Sequence, residues 1–192
     1  MADSDTIPQR LLVLVGPSGS GKSTAVRRLV REGIVVVTPT WTTRPMRPDE
    51  DAAAIEHVFV SEELFREHER AGAFLTVVSL FGLPHMYGLP SILPSGPNEI
   101  SCCIVRAHLV PQVRRQAPGA TVYSLDLPLS HGGRTRMESD SPEDGTRFTR
   151  ATEELILGHR LADRIIQWQQ DPDARYRCIL EAIHQDFPGT RM

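Results

Sequence analysis

The chain has 192 residues, 40% of them hydrophobic, and a formal net charge of −3 from 21 basic and 24 acidic side chains. That length suits one domain with an insertion, and the near-balanced charge gives no global attraction to nucleic acid or to an anionic membrane. No run is apolar and long enough for a membrane span, and the opening MADSDTIPQR lacks the apolar core of a signal peptide, so the expected setting is cytoplasmic.

Residues 11–15, LLVLV, form a continuous apolar run closed by Gly16, the pattern of a strand buried in a parallel sheet. KSTAVRRLVRE follows as a helix, with Ala25, Leu29 and Val30 at helical spacing and a stop at Gly33. IVVVTP reads as a second buried strand ended by Pro39, and the Pro- and charge-rich stretch 40–54, TWTTRPMRPDEDAAA, as loop. EHVFVS is a short strand. SEELFREHERAG is a helix capped by Ser61, favoured by Glu62 and Glu63 in its first turn and ended by Gly72. AFLTVVSLF is strand-like, and GLPHMYGLPSILPSGPN reads as loop with a helical turn.

EISCCIVRA is a further apolar run, LVPQVRRQAPG a short basic helix or turn, and ATVYSLDLP a strong strand. SHGGRTRMESDSPEDGT is rich in Gly, Ser and charge and reads as a mobile segment. RFTRATEELILGHRLA is helical and DRIIQW a short strand. DPDARYRCILEAIHQDF is a helix opened by Asp171 and Pro172, with Tyr176, Ile179, Leu180 and Ile183 on one face. Strands alternating with helices predict an α/β fold with a mostly parallel sheet flanked by helices. Cys102, Cys103 and Cys178 have no C-x-x-C spacing and read as reduced, mostly buried thiols.

Gly16 to Ser23 match G-x-x-x-x-G-K-[ST] in the strand–loop–helix setting that this phosphate cradle requires. Glycines let backbone N–H groups turn toward phosphate oxygens, and the start of the helix adds its positive dipole end. Gly16, Ser18, Gly19, Ser20, Gly21, Lys22, Ser23 and Thr24 are therefore the expected nucleotide contacts, with ATP and Mg²⁺ as the expected cofactors. Lys22, read as solvated, is expected to reach the β- and γ-phosphates, and Ser23 to ligate Mg²⁺, with Thr24 the weaker choice. Lys22 is the single lysine in a chain whose every other basic residue is arginine. An ammonium on a slender stem fits between two phosphates, whereas a guanidinium fork is wider.

The cradle is shared by many reactions, and for a chain of this size and charge a small-molecule kinase is the economical reading. Such an enzyme needs an acceptor site and cations for the transferred group. TTRPMRP supplies Arg44 and Arg47, three residues apart on a proline-stiffened loop and suited to a phosphate dianion. GPSGSGKST, TTRPMRPDE, HVFVSEELFREHERAGAFL and MYGLP follow one another in an order and spacing similar to guanylate kinases, over roughly residues 10–125. The resemblance implies a single P-loop kinase domain: a core over about 10–38 and 98–192, an inserted acceptor-binding segment over about 39–97, and an arginine-bearing lid over about 130–148. It also implies a nucleoside monophosphate whose phosphate is held by residues matching Arg44, Arg47 and Tyr87.

The departures from that family are specific. Where the family has a tyrosine touching the acceptor phosphate, this chain has His57. Thr76 stands in place of a guanine-binding glutamate, with Ser79 on the same strand a weaker substitute. Met86 replaces the first of two tyrosines. SCCIVRA lacks the family's aspartates, so the nearest acids are Glu99 and Asp126. These features, with RAHL at 106–109, resemble ribose 1,5-bisphosphate phosphokinases, which implies that His57 and Arg106 face a sugar phosphate; His108 reads as bonding local backbone.

Arg134, Arg136, Arg147 and Arg150 flank the polar stretch ESDSPEDG, and the resemblance puts lid arginines here. Arg136 and Arg147, with Lys22, are the expected catalytic cations. The expected reaction moves the γ-phosphoryl of ATP to the phosphate of a small phosphomonoester, a nucleoside monophosphate or a ribose phosphate. Plain guanylate kinase and a non-catalytic binding module are the alternatives. The expected partner is that small phosphorylated substrate, with no nucleic acid and no membrane.

Overall fold

A computed structural model of the chain describes residues 10–46, 55–79, 85–91, 99–128 and 143–190. A five-stranded sheet is built from β1 Leu11–Val15, β2 Val36–Val37, β7 Ser101–Ile104, β8 Thr121–Leu125 and β9 Arg164–Ile166. Its spatial order is β2-β7-β1-β8-β9, and every neighbouring pair is parallel. Parallel strands need crossovers, and the helices α1 Lys22–Arg31, α3 Val110–Gln116 and α4 Glu143–Leu161 lie in those connections, while α5 Pro172–Asp186 follows β9.

β1 is central and fully buried, which is why it is apolar at every position. Its side chains alternate between two cores. Leu12 and Leu14 pack with Ala25, Val26 and Leu29 of α1 and with Tyr176, Ile179 and Ile183 of α5. Leu11, Val13 and Val15 pack with Val110 and Val113 of α3, with Leu157 and Leu161 of α4 against them. Each buried aliphatic side chain contributes about 1.5–3 kcal/mol.

A second, four-stranded sheet is made of β3 Thr40–Thr42, β4 His57–Phe59, β5 Phe74–Ser79 and β6 Met86–Pro90, in the order β4-β3-β6-β5. β3 runs parallel to β4, while β6 runs antiparallel to β3 and β5. α2 Glu62–Arg70 begins at Ser61, whose hydroxyl accepts from the Leu64 N–H at 3.3 Å. Buried Phe65 of α2 stacks on Phe74 at 4.7 Å between centroids.

Several expectations need correction. Stretches 40–54 and 82–98 contain strands β3 and β6. Their prolines and glycine mislead because Pro45 stands beyond β3 and Pro90 ends β6. Gly88 is packing chemistry: a Cβ there would meet the Phe74 ring at 2.8 Å and Phe65 at 3.0 Å. The strand read from IVVVTP shrinks to two residues at a sheet edge, with Val36 53% exposed. In α5 it is Ala182, with Tyr176, Ile179 and Ile183, that is buried, whereas Leu180 is half-buried. Cys102 and Cys103 are buried free thiols, and Cys178 is half-buried and free. Among the described residues no helix is long and apolar enough to cross a membrane.

Candidate active site

Residues 16–21 turn the chain from the C-terminal end of β1 into α1. Gly16, Gly19 and Gly21 all have positive φ, which frees the loop from a Cβ penalty. A Cβ on Gly16 would also lie 2.6 Å from the Leu125 carbonyl oxygen, so the loop's first residue packs directly on the end of β8. Lys22 Nζ donates to Gly16 O at 2.7 Å, to Pro17 O at 2.8 Å and to Ser20 Oγ at 3.4 Å. The expected solvated side chain is thus corrected: the ammonium is enclosed by the loop. Burial pulls its pKa down to about 8, Glu154 opposing and Arg106 adding to the shift.

α1 has no acidic residue in its first turn, and Gly21 offers it no side-chain cap. Its leading N–H groups are left for another acceptor, and the dipole favours an anion. Ser18, Gly19, Ser23 and Thr24 are half-exposed or exposed around this end, while Ser20 is buried. Backbone donors, one ammonium and an accessible hydroxyl at Ser23 are a donor and ligand set that fits a triphosphate with Mg²⁺.

β7 is parallel to β1, so its C-terminal end arrives beside the loop and brings Arg106. Arg106 Nη1 lies 3.9 Å from Glu154 Oε2 on α4, and Glu154 Oε1 accepts the Ala107 N–H at 2.8 Å. Glu154 is only 7% exposed. The sequence reading missed it, although Glu154, Leu157 and Leu161 share the i, i+3, i+7 spacing of one helix face. The same geometry sorts the two acids named above. Glu99 precedes β7, at the end of the sheet opposite the loop. Asp126 directly follows β8 at the loop's end, with Oδ1 accepting the Leu127 N–H at 2.8 Å and lying 3.6 Å from His159 Nε2.

On the acceptor side Tyr87 of β6 sits opposite Thr42 of β3 and opposite Val78 of β5. Arg44 leaves β3 with its N–H bonded to Thr42 Oγ1 at 3.1 Å, its guanidinium 5.1 Å from the Phe59 ring centre and Nη1 donating to Pro45 O. Arg44 therefore lies two residues beyond Thr42, the β3 residue that pairs with Tyr87. His57 lies on β4, one of the two edge strands, opposite Thr40, whereas Arg106 joins Lys22 and Glu154. Thr76 on β5 donates from Oγ1 to Gln112 Oε1 of α3 at 2.8 Å. Ser79 is exposed at the end of β5, and His108 is exposed.

Two further residues escaped sequence reading. Gln112 gave no signal in a short basic segment. Glu56, 6% exposed, is gripped by Arg27 of α1 at 2.9 and 3.2 Å, which ties the helix after the loop to the start of β4. Arg47, Arg134 and Arg136 lie outside the described residues. Arg147 and Arg150 fall within α4, but their side chains lie outside the description.

A family model described as an AAA domain matches residues 11–78. The guanylate kinase of Thermosynechococcus vestitus is 38% identical over 176 residues, 86% of this chain and 90% of that protein. The guanylate kinase of Rubrobacter xylanophilus is 31% identical over 189 residues, 95% of this chain and 89% of its own length. The crystal structure of guanylate kinase from Anaplasma phagocytophilum shares the fold, with a TM-score of 0.72 over 95% of this chain and 88% of that one at 18% identity. None of these likenesses supports a ribose phosphate acceptor.

Proposed function

The chain belongs to the guanylate kinase family, phosphotransferases that use ATP and Mg²⁺ and take a phosphate group as acceptor, and we propose that it phosphorylates a nucleoside monophosphate whose base it reads only weakly. The observation that carries the proposal is the pairing of β3 with β6, which sets Arg44 two residues beyond the partner of Tyr87, in a sheet whose base-reading position is a threonine turned to Gln112.

In this reading Lys22 and the N–H groups of residues 16–24 hold the β- and γ-phosphates of ATP. Ser23 ligates Mg²⁺, which when bound draws charge from those phosphates. Arg44, Arg47 and Tyr87 hold the acceptor phosphate, whose oxygen is already anionic and needs no strong base. Thr76 and Gln112 meet the base, His57 stands toward the acceptor from β4, and Arg106 adds positive charge beside Lys22. Arg136 and Arg147 bring positive charge to the moving phosphoryl group from the lid. Catalysis is then positioning and charge neutralisation.

The test is phosphoryl transfer from ATP with Mg²⁺ to GMP, dGMP, AMP, CMP and ribose 1,5-bisphosphate, reporting kcat/KM. Turnover of several nucleoside monophosphates within about a hundredfold of one another is expected, because no carboxylate selects guanine. A GMP preference well beyond that factor restores strict guanylate kinase. ATP binding without turnover of any acceptor overturns the enzymatic reading.

A further inference from the structure

We propose that Arg175, 155 residues downstream of Ser20, is a positioning residue that holds the phosphate loop in its binding shape from behind. It rests on the phosphate-site reading above. Arg175 lies in the first turn of α5. Its Nη1 donates to Ser20 O at 3.0 Å and its Nη2 to Gln169 O at 2.7 Å. The guanidinium lies 3.6 Å from the centre of the Trp168 ring. Two carbonyls and one aromatic face thus fix the group in plane and in direction.

What that grip does follows from peptide geometry. The Ser20 C=O and the Gly21 N–H belong to one planar trans unit and point in opposite directions. Drawing the carbonyl outward to Arg175 turns the Gly21 N–H toward the interior of the loop, where phosphate oxygens are to be bound. Gly21 has φ 88° and no Cβ, so nothing intrinsic to the residue keeps this peptide from rotating. The approach is close enough that a Cβ on Gly21 would lie 2.9 Å from Arg175 Nη1. The glycine that shapes the loop and the arginine that restrains it are therefore in contact.

Docking of α5 does not depend on this contact. Tyr176, Ile179 and Ile183 bury the helix in the core, and Tyr176 Oη donates to Glu32 of the α1 C-cap at 2.7 Å. Loss of Arg175 is therefore expected to change phosphate binding much more than folding.

The experiment uses the full chain with Arg175→Ala and Arg175→Lys, measuring the Kd of ATP with Mg²⁺, the KM of ATP and of GMP, and Tm. For Arg175→Ala the Kd and KM of ATP rise roughly tenfold or more, the worth of one charge-assisted hydrogen bond. The KM of GMP stays within about twofold. Arg175→Lys fails to rescue, because one ammonium cannot bond both carbonyls and stack. Guanidinium ion at non-denaturing concentration restores part of the ATP affinity of Arg175→Ala and leaves the parent unchanged. ATP affinity within about twofold of the parent in both variants overturns the proposal. So does a parallel rise in the KM of GMP, or full rescue by lysine. Failure of the parent itself to bind ATP overturns the phosphate-site reading instead.

Discussion

Thr76 Oγ1 donates to Gln112 Oε1 at 2.8 Å, which joins β5 of the second sheet to α3 of the core at the position proposed above to meet the base. The hydroxyl hydrogen is spent within the protein. What remains for a ligand is a hydroxyl oxygen and the Gln112 amide, neither of which matches a charged bidentate acceptor. Thr76→Glu is therefore expected to raise kcat/KM for GMP relative to AMP by about tenfold or more. A GMP/AMP ratio unchanged by this substitution places base recognition elsewhere.

Lys22→Arg is expected to lower kcat/KM by roughly a hundredfold or more, far beyond any loss explained by a change in Tm. The ammonium occupies a gap between Gly16 O and Pro17 O, at 2.7 and 2.8 Å, that a planar guanidinium does not fit. Steady-state kinetics with thermal melting decides it, and near-normal turnover by the arginine variant removes the geometric reason for this single lysine.

The phosphate loop was legible because its chemistry is local: a strand, glycines and a lysine fall within one short stretch. β1, α1, α2 and α5 were legible for the same reason, through apolar runs, caps and helical periodicity. β3 and β6 were not, because their strand character comes from pairing with each other across Trp41–Gly88 and Thr42–Tyr87, contacts between segments far apart in sequence. Glu154, Gln112 and Arg175 were hidden likewise. Each acts on backbone or side chains that only the fold brings near.

Gly88 joins Tyr87, the proposed acceptor contact, to the stacked rings of Phe74 and Phe65. A Cβ there would meet Phe74 at 2.8 Å and Phe65 at 3.0 Å. Gly88→Ala is expected to destabilise the protein by about 1–3 kcal/mol through overpacking. It should also shift neighbouring Tyr87, raising the KM of the acceptor and leaving the Kd of ATP unchanged. Melting and two-substrate kinetics test both halves, and equal effects on the two substrates contradict the assignment of Tyr87 to the acceptor alone.

Asp186 at the end of α5 sets an acid limit on stability. Hydrogen bonds from Arg164, and from Tyr123 Oη at 2.8 Å, hold its carboxyl below the usual carboxylate range, with burial working the other way. The folded state thus binds this proton more weakly than the unfolded one. The stabilisation is present above the unfolded pKa of about 4 and is lost as pH falls through the lower folded value. Asp186→Asn should lower Tm at neutral pH and give a shallower fall of Tm below about pH 4. Parallel curves for the two proteins contradict it.

Glu154 separates two roles that one carboxylate performs, and two substitutions resolve them. Oε1 accepts the N–H of Ala107, which is fully buried, while Oε2 faces Arg106 at 3.9 Å and the same carboxylate acts on Lys22. Glu154→Gln keeps an oxygen for Ala107 and removes only the charge. Glu154→Ala removes both and leaves a buried N–H without its acceptor, at about 1–3 kcal/mol. The alanine variant should therefore melt well below the glutamine variant. The helix that carries Glu154 also carries Arg147 toward its N-terminal end, so loosening this anchor lets the proposed lid arginine wander. Loss of kcat should accordingly be larger for alanine than for glutamine. Glu154 holds the Lys22 pKa up against burial, so the glutamine variant should carry less charge on Lys22 near neutral pH and bind ATP more weakly there, with the deficit shrinking as pH falls. Equal Tm and equal kcat for the two variants refute the anchoring role, and an ATP affinity equal to the parent's at every pH refutes the electrostatic one.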